Sequence, residues 1–206
     1  MFEDRVDAGL KLCPRLKRFA GKSDTLVAGL TRGGVATAKA LSKTLNLKLY
    51  PLIVKKIPAP GNEELAIGAI VSPEAFYLNR GLIKRLKISD SHIDAYKKIK
   101  LEEIGRLSAR LKINYEGFKN KNIILVDDGV ATGASVLAAE IFLRKKQVNN
   151  IILATPVIAQ DTLSDIRKHF DGIVFLIKER DFYSVGQFYK NFGQILDEEV
   201  AKILGV

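Results

Sequence analysis

Short apolar runs bounded by turn residues alternate along the chain with stretches of helical period. LVAGL (26–30), LYPLIV (49–54), IILV (123–126), IILATPV (151–157) and IVFLI (173–177) predict strands, and 33–45, 134–146 and 161–170 predict the helices between them. That alternation is the pattern of βαβ units, so the expectation is an α/β fold: a doubly wound, mostly parallel five-stranded sheet within a single domain, residues 1–206.

One stretch breaks the rhythm. Residues 55–121 are far longer than an ordinary connection in such a fold and must carry structure of their own, an insert. KKIPAPGNEE (55–64), punctuated by Pro and Gly, reads as a loop, and AIGAIV and AFYLN flanking SPE read as a hairpin. Ser91 and Asp94 then open a helix over 91–112, with Ile93, Tyr96, Ile104, Leu107 and Leu111 on its apolar side.

Composition adds a few bounds. The chain has 206 residues, 47% of them apolar, which suits one globular core. MFEDRVDAGLKLCPRLKRF has acids before its bases and no long apolar centre, so it reads as an amphipathic helix rather than a targeting leader. With no apolar run of membrane-spanning length, the expectation is a cytoplasmic protein with no membrane partner. The single cysteine, Cys13, has no disulfide partner and reads as a small apolar helix residue. His92 and His169 have no partner at metal or catalytic spacing and read as surface residues. Net charge is +10, and residues 80–121 hold twelve Lys or Arg against five Asp or Glu. A bias of that kind attracts polyanions, whether nucleic acid, acidic protein or a phosphorylated metabolite.

The chemistry concentrates in IILVDDGVATGAS (123–135), where a buried strand runs into two adjacent carboxylates, Asp127 and Asp128, and then a small-residue turn. Two neighbouring acids at the mouth of a buried strand repel each other and lose solvation unless they stay in water or meet a compensating group. Gly129 and Gly133 permit a tight turn, Thr132 and Ser135 supply hydroxyls, and the first amides of the following helix face outward. Such a turn suits a phosphate, and the acids suit hydroxyls on the same ligand; a sugar phosphate has both. Walker A and G-x-G-x-x-G patterns are absent.

This string resembles the phosphoribosyl pyrophosphate (PRPP) signature of type I phosphoribosyltransferases, with Gly129 standing where an aliphatic residue is usual. The resemblance implies that Asp127 and Asp128 hold the ribose hydroxyls and meet Mg²⁺, mostly through PRPP and water. It also implies that Val130, Ala131, Thr132, Gly133, Ala134 and Ser135 wrap the 5-phosphate. GLTRGGVATA (29–38) is similar to the family's pyrophosphate loop, which assigns Thr31, Arg32, Gly33 and Gly34 to the diphosphate; Lys55 and Lys56 stand where adenine and orotate members carry an Arg-Lys pair. KKIPAPGNEELAIGAI and DFYSVGQFYKNFGQILDEEV (181–200) are similar to a less characterised branch of this family.

The implied activity is Mg²⁺-dependent transfer of phosphoribosyl from PRPP to a nitrogenous base or related acceptor, with Asp127, Asp128, Arg32 and Lys56 at the reacting centre. Residues 57–64 would close over the site, Phe182 or Tyr183 in a C-terminal hood segment would stack on the base, and Glu63 or Glu64 would serve a proton or a metal. Ala131 replaces the aspartate usual in hypoxanthine and guanine members, which disfavours a 6-oxopurine. A homodimer is the family expectation. The alternative is a PRPP-sensing regulator that binds nucleic acid through the basic segment 80–121, against which the interspersed Glu102 and Glu103 argue.

Overall fold

Alternate residues of the apolar runs face opposite ways in a strand, and here both directions are covered. The structure, a computed structural model, describes residues 1–206 apart from the side chain of Glu64. The chain runs through α1 (Arg5–Leu16), β1 (Thr25–Leu30), α2 (Gly33–Leu45) and β2 (Lys48–Leu52). The insert follows as β3 (Lys55–Ala59), β4 (Asn62–Ser72), β5 (Ala75–Leu78), α3 (Arg80–Arg85) and α4 (Asp90–Arg110). Then come β6 (Asn122–Val126), α5 (Ala134–Lys145), β7 (Asn150–Ala159), α6 (Gln160–Ile166), β8 (Gly172–Glu179) and α7 (Asp197–Leu204).

Five of these strands form an all-parallel sheet in the order β2-β1-β6-β7-β8. On one face Leu26, Ala28, Leu30, Ile123, Leu125 and Leu153 pack under α5 and the insert strands; on the other, Val27, Ile124, Val126 and Ile152 pack under α1 and α2. Each fully buried aliphatic side chain contributes about 1.5–3 kcal/mol relative to exposure, and this two-sided burial is why the strand runs lack polar alternation. Among the described residues no helix is long and apolar enough to cross a membrane.

The insert differs from its sequence reading. Residues 55–64, expected as a loop, instead supply β3, the turn and the start of β4, and β3-β4-β5 form a separate antiparallel sheet. Burial of Ile57 and Ala59 against Ile67, Ile70, Ile83 and Ile93 outweighs the Pro and Gly punctuation. Pro58 falls where the β3–β4 register shifts, a place where its missing N–H is tolerated. Segment 57–64 is therefore two paired strands joined by a turn, not an unpaired flap. The cap of α4 is Ser89, which accepts from the His92 amide at 3.3 Å, so the helix starts earlier than the Ser91 and Asp94 pattern indicates. The predicted helix 161–170 ends at Ile166 and passes into a single 3₁₀ turn. β2 stops at Leu52 because the next two amides turn to side chains: Ile53 N–H donates to the Tyr115 hydroxyl and Val54 N–H to Thr31 Oγ1.

Candidate functional site

The chain steps from β1 to β2 in one direction and, after the insert, takes up β6 on the other side of β1. The switch point thus lies between the carboxyl ends of β1 and β6, where open α/β sheets bind ligands. From each of those ends a short loop leads into a helix: 31–32 into α2 and 127–133 into α5. Neither helix has a side-chain cap at its N-terminus, so their first amides and positive dipole ends stay open toward the crevice. Gly133, at φ +76°, makes the turn into α5, and Val130 pins the same loop by exchanging backbone hydrogen bonds with β7, its amide to Val157 and its carbonyl from Ala159. The Thr31–Arg32 peptide is cis.

A cleft of about 290 Å³ fills the crevice, bounded by Thr31, Arg32 and Gly33 on one side and by Asp127, Asp128 and residues 129–135 on the other. Lys56 reaches it from β3, and Gly34 packs beneath it, with a would-be Cβ only 2.6 Å from the Val126 carbonyl oxygen. A second cleft of about 410 Å³ continues from it past Thr31, Arg32 and Lys56 to Lys55, Tyr96 and Lys100. There Glu103 serves two ammonium groups, Lys100 at 2.7 Å and Lys55 at 3.4 Å. Burial pushes the Glu103 carboxyl up, but the two lysines outweigh it and hold the group below the usual range. Part of the positive charge of segment 80–121 is thus engaged internally, as it also is where Arg110 meets Glu198 at 2.9 Å.

The two acids are not equivalent. Burial, and then the charge of Asp128, push the Asp127 carboxyl well above its ordinary range. Asp128 instead meets Arg5 of α1, whose Nε donates to Oδ2 at 2.6 Å with both side chains nearly enclosed. The Tyr189 hydroxyl donates to the backbone carbonyl of Asp128 at 2.5 Å, pinning the dipeptide from the C-terminal segment. Arg32 leans toward Asp197 of α7, but at 3.9 Å makes no hydrogen bond to it. Its guanidinium remains available to an anion in the cleft.

The structure places both candidate aromatics away from the cleft. Tyr183 is 89% exposed and Phe182 packs on Phe188 with ring centroids 5.2 Å apart; neither lines the cleft. The C-terminal segment that follows β8 closes the crevice with Val185 and Phe192 instead. Val185 also accounts for Gly129. A Cβ there would lie 2.4 Å from Val185 Cγ1 and 2.9 Å from Val157 Cγ2, so the hood side chain occupies the volume an aliphatic residue would take. The glycine was a visible irregularity in the sequence; which residue filled its space was not.

Other candidates fall elsewhere. Glu63 is exposed on the rim of the second cleft, and the side chain of Glu64 lies outside the described residues. His92 is half-buried, packed on Tyr96 and 3.3 Å from the Pro58 carbonyl oxygen, while His169 Nδ1 lies 4.0 Å from Glu140. Cys13 is buried, and burial pushes its thiol pKa up, away from reactivity. Among the described residues no three His, Cys, Asp or Glu side chains gather as a metal cage. Arg5 is the main site residue that local sequence reasoning missed; 123 positions separate it from Asp128, and nothing near it marks a motif.

Fold and site together define an open α/β protein with a crevice at its switch point, lined by two helix N-termini and an acid pair. The chain belongs to the phosphoribosyltransferase family: the model of the phosphoribosyl transferase domain matches residues 12–190. A Mycobacterium tuberculosis H37Rv protein named "Putative phosphoribosyl transferase Rv0571c", and its counterpart in strain CDC 1551, are 34% identical over 206 residues, 99% of this chain. The chain spans about half, 46%, of the length of those relatives. The crystal structure of TT1426 from Thermus thermophilus superposes with a TM-score of 0.79 at 30% identity, covering 99% of this chain and 97% of that one. A hypoxanthine phosphoribosyltransferase from Staphylococcus aureus shares the fold at a TM-score of 0.52 and 14% identity, over 86% of this chain and 74% of its own.

Proposed function

We propose that the protein catalyses transfer of a phosphoribosyl group from PRPP to a nitrogenous base or related acceptor, releasing pyrophosphate. One observation carries this reading: two uncapped helix N-termini and an adjacent acid pair converge on one crevice. A 5-phosphate would take the amides and hydroxyls of residues 131–135, the ribose hydroxyls Asp127 and Asp128, and the diphosphate Thr31, Arg32, Gly33, Gly34 and the lysines 55 and 56. With the diphosphate on that side, an acceptor in line with the departing bond enters under Val185 and Phe192, an apolar and aromatic wall suited to a flat ring. The protein's part is to align the reactants, exclude water and stabilise the departing charge with fixed amides and cations.

Mg²⁺ fits as a passenger on the diphosphate rather than as a resident ion. One acid is pushed toward its neutral form and the other is ion-paired with Arg5, and Mg²⁺ keeps its waters and favours phosphate oxygens. When bound it supplies charge neutralisation at the leaving diphosphate. A cytoplasmic homodimer accompanies this reading.

The test is pyrophosphate release from PRPP and Mg²⁺ over a panel of purine and pyrimidine bases, with PRPP affinity measured by calorimetry. The expected result is release that depends on one base, and weaker PRPP binding by Asp128→Asn with the fold intact. Tight PRPP binding without turnover on any base refutes the transferase; unchanged affinity in Asp128→Asn refutes the role of the acids.

A further inference from the structure

Arg5 lies before the span matched by the family model, and Phe192 and Gly193 lie after it, yet the three meet at the acid pair. The Arg5 guanidinium gives its Nε to Asp128 Oδ2 at 2.6 Å, its Nη1 to the Gly193 carbonyl oxygen at 2.8 Å, and its face to the Phe192 ring, 3.8 Å from the centroid. All three contacts follow from the planar fork of an arginine, which a lysine ammonium does not reproduce. Arg5 is itself held at the N-terminus of α1, where Asp4 caps the helix by accepting from the Asp7 amide at 2.9 Å.

We infer that Arg5 is a positioning residue: it fixes one oxygen of Asp128 and ties the acid that receives the sugar hydroxyls to the C-terminal segment that roofs the cleft. Two observations support it. The side chains of the pair are only 12% and 14% exposed, so the bond is little screened by water. Phe192 belongs both to the cleft wall and to the arginine clamp, so the roof and the acid share one side chain. The inference rests on the reading of Asp128 as the hydroxyl acceptor. It adds that the chain's two ends, rather than the signature loops alone, set that acid's geometry.

The experiment separates ligands by what they carry. Ribose 5-phosphate has the hydroxyls without the diphosphate, and pyrophosphate the reverse; each is titrated calorimetrically, with Mg²⁺, into wild type, Arg5→Gln, Arg5→Lys and Phe192→Leu. The expected result for Arg5→Gln is a loss of ribose 5-phosphate affinity of roughly ten- to a hundred-fold, with pyrophosphate affinity unchanged. Arg5→Lys and Phe192→Leu should show smaller losses of the same selectivity, which keeps the test alive if Arg5→Gln fails to fold. Equal loss for both ligands, or no loss for either, overturns the positioning role. A wild-type protein that binds pyrophosphate but not ribose 5-phosphate overturns the assignment of the acids, and the role of Arg5 with it.

Discussion

Gly33 stands where the two halves of the crevice touch, and Gly33→Ala tests whether that contact is as close as the geometry requires. An alanine Cβ would sit 1.8 Å from Asp128 Oδ2, 2.6 Å from its Cγ and 2.9 Å from Arg5 Nε. The first distance is well over about 1 Å short of ordinary van der Waals contact, and a displacement of that size takes Asp128 out of hydrogen-bond reach of Arg5. Breaking a largely enclosed ion pair costs about 3–5 kcal/mol. Alanine recovers at most about 1 kcal/mol over glycine in a helix, and less at its first residue. The net loss is about 2–4 kcal/mol, and at roughly 2–4 °C per kcal/mol for a chain of this size Tm falls by about 5–15 °C. The assay is thermal unfolding of Gly33→Ala, alone and in an Asp128→Ala background, where the two closest atoms are gone, only the flexible Arg5 side chain remains within 3 Å, and the added cost should fall below about 1 kcal/mol. The same Tm drop in both backgrounds would refute the contact as its source.

Asp127→Asn should stabilise the protein at neutral pH. Because burial and Asp128 raise the folded-state pKa of Asp127, the folded form holds the proton longer than the unfolded form, so stability declines as pH rises from the ordinary carboxylate value through the raised one. The amide removes that decline; urea midpoints measured between pH 4 and 8 that fall in parallel for both proteins would contradict it. Gly129→Val should cost about 1–3 kcal/mol by overpacking against Val185 and Val157, and adding Val185→Ala should recover a good part of that loss. Urea unfolding of the single and double variants checks it, the absence of recovery being the adverse result.

How much of the site could be read in advance depended on how local its physics is. The strand runs, the helices read over 33–45 and 134–146, and the two loops at the switch point rest on apolar period and turn chemistry, which neighbouring residues express together. Segment 55–64 was misread because its Pro and Gly are local signals, whereas the burial of Ile57 and Ala59 against α4 is not. Likewise Phe182 and Tyr183 looked suited to stack on a base, but the path of the chain after β8 turns Tyr183 to solvent and brings Val185 and Phe192 to the cleft.

The amino-acid sequence alone determined the doubly wound sheet and the acid pair with its phosphate turn, because hydrophobic period, glycine and the order of residues along one strand and loop act over a few positions. Only the tertiary structure decided which acid is desolvated and which is paired with Arg5, and which residue fills the space above Gly129. Those depend on desolvation and on contacts between residues up to 188 positions apart, which exist only once both ends of the chain have packed onto the sheet.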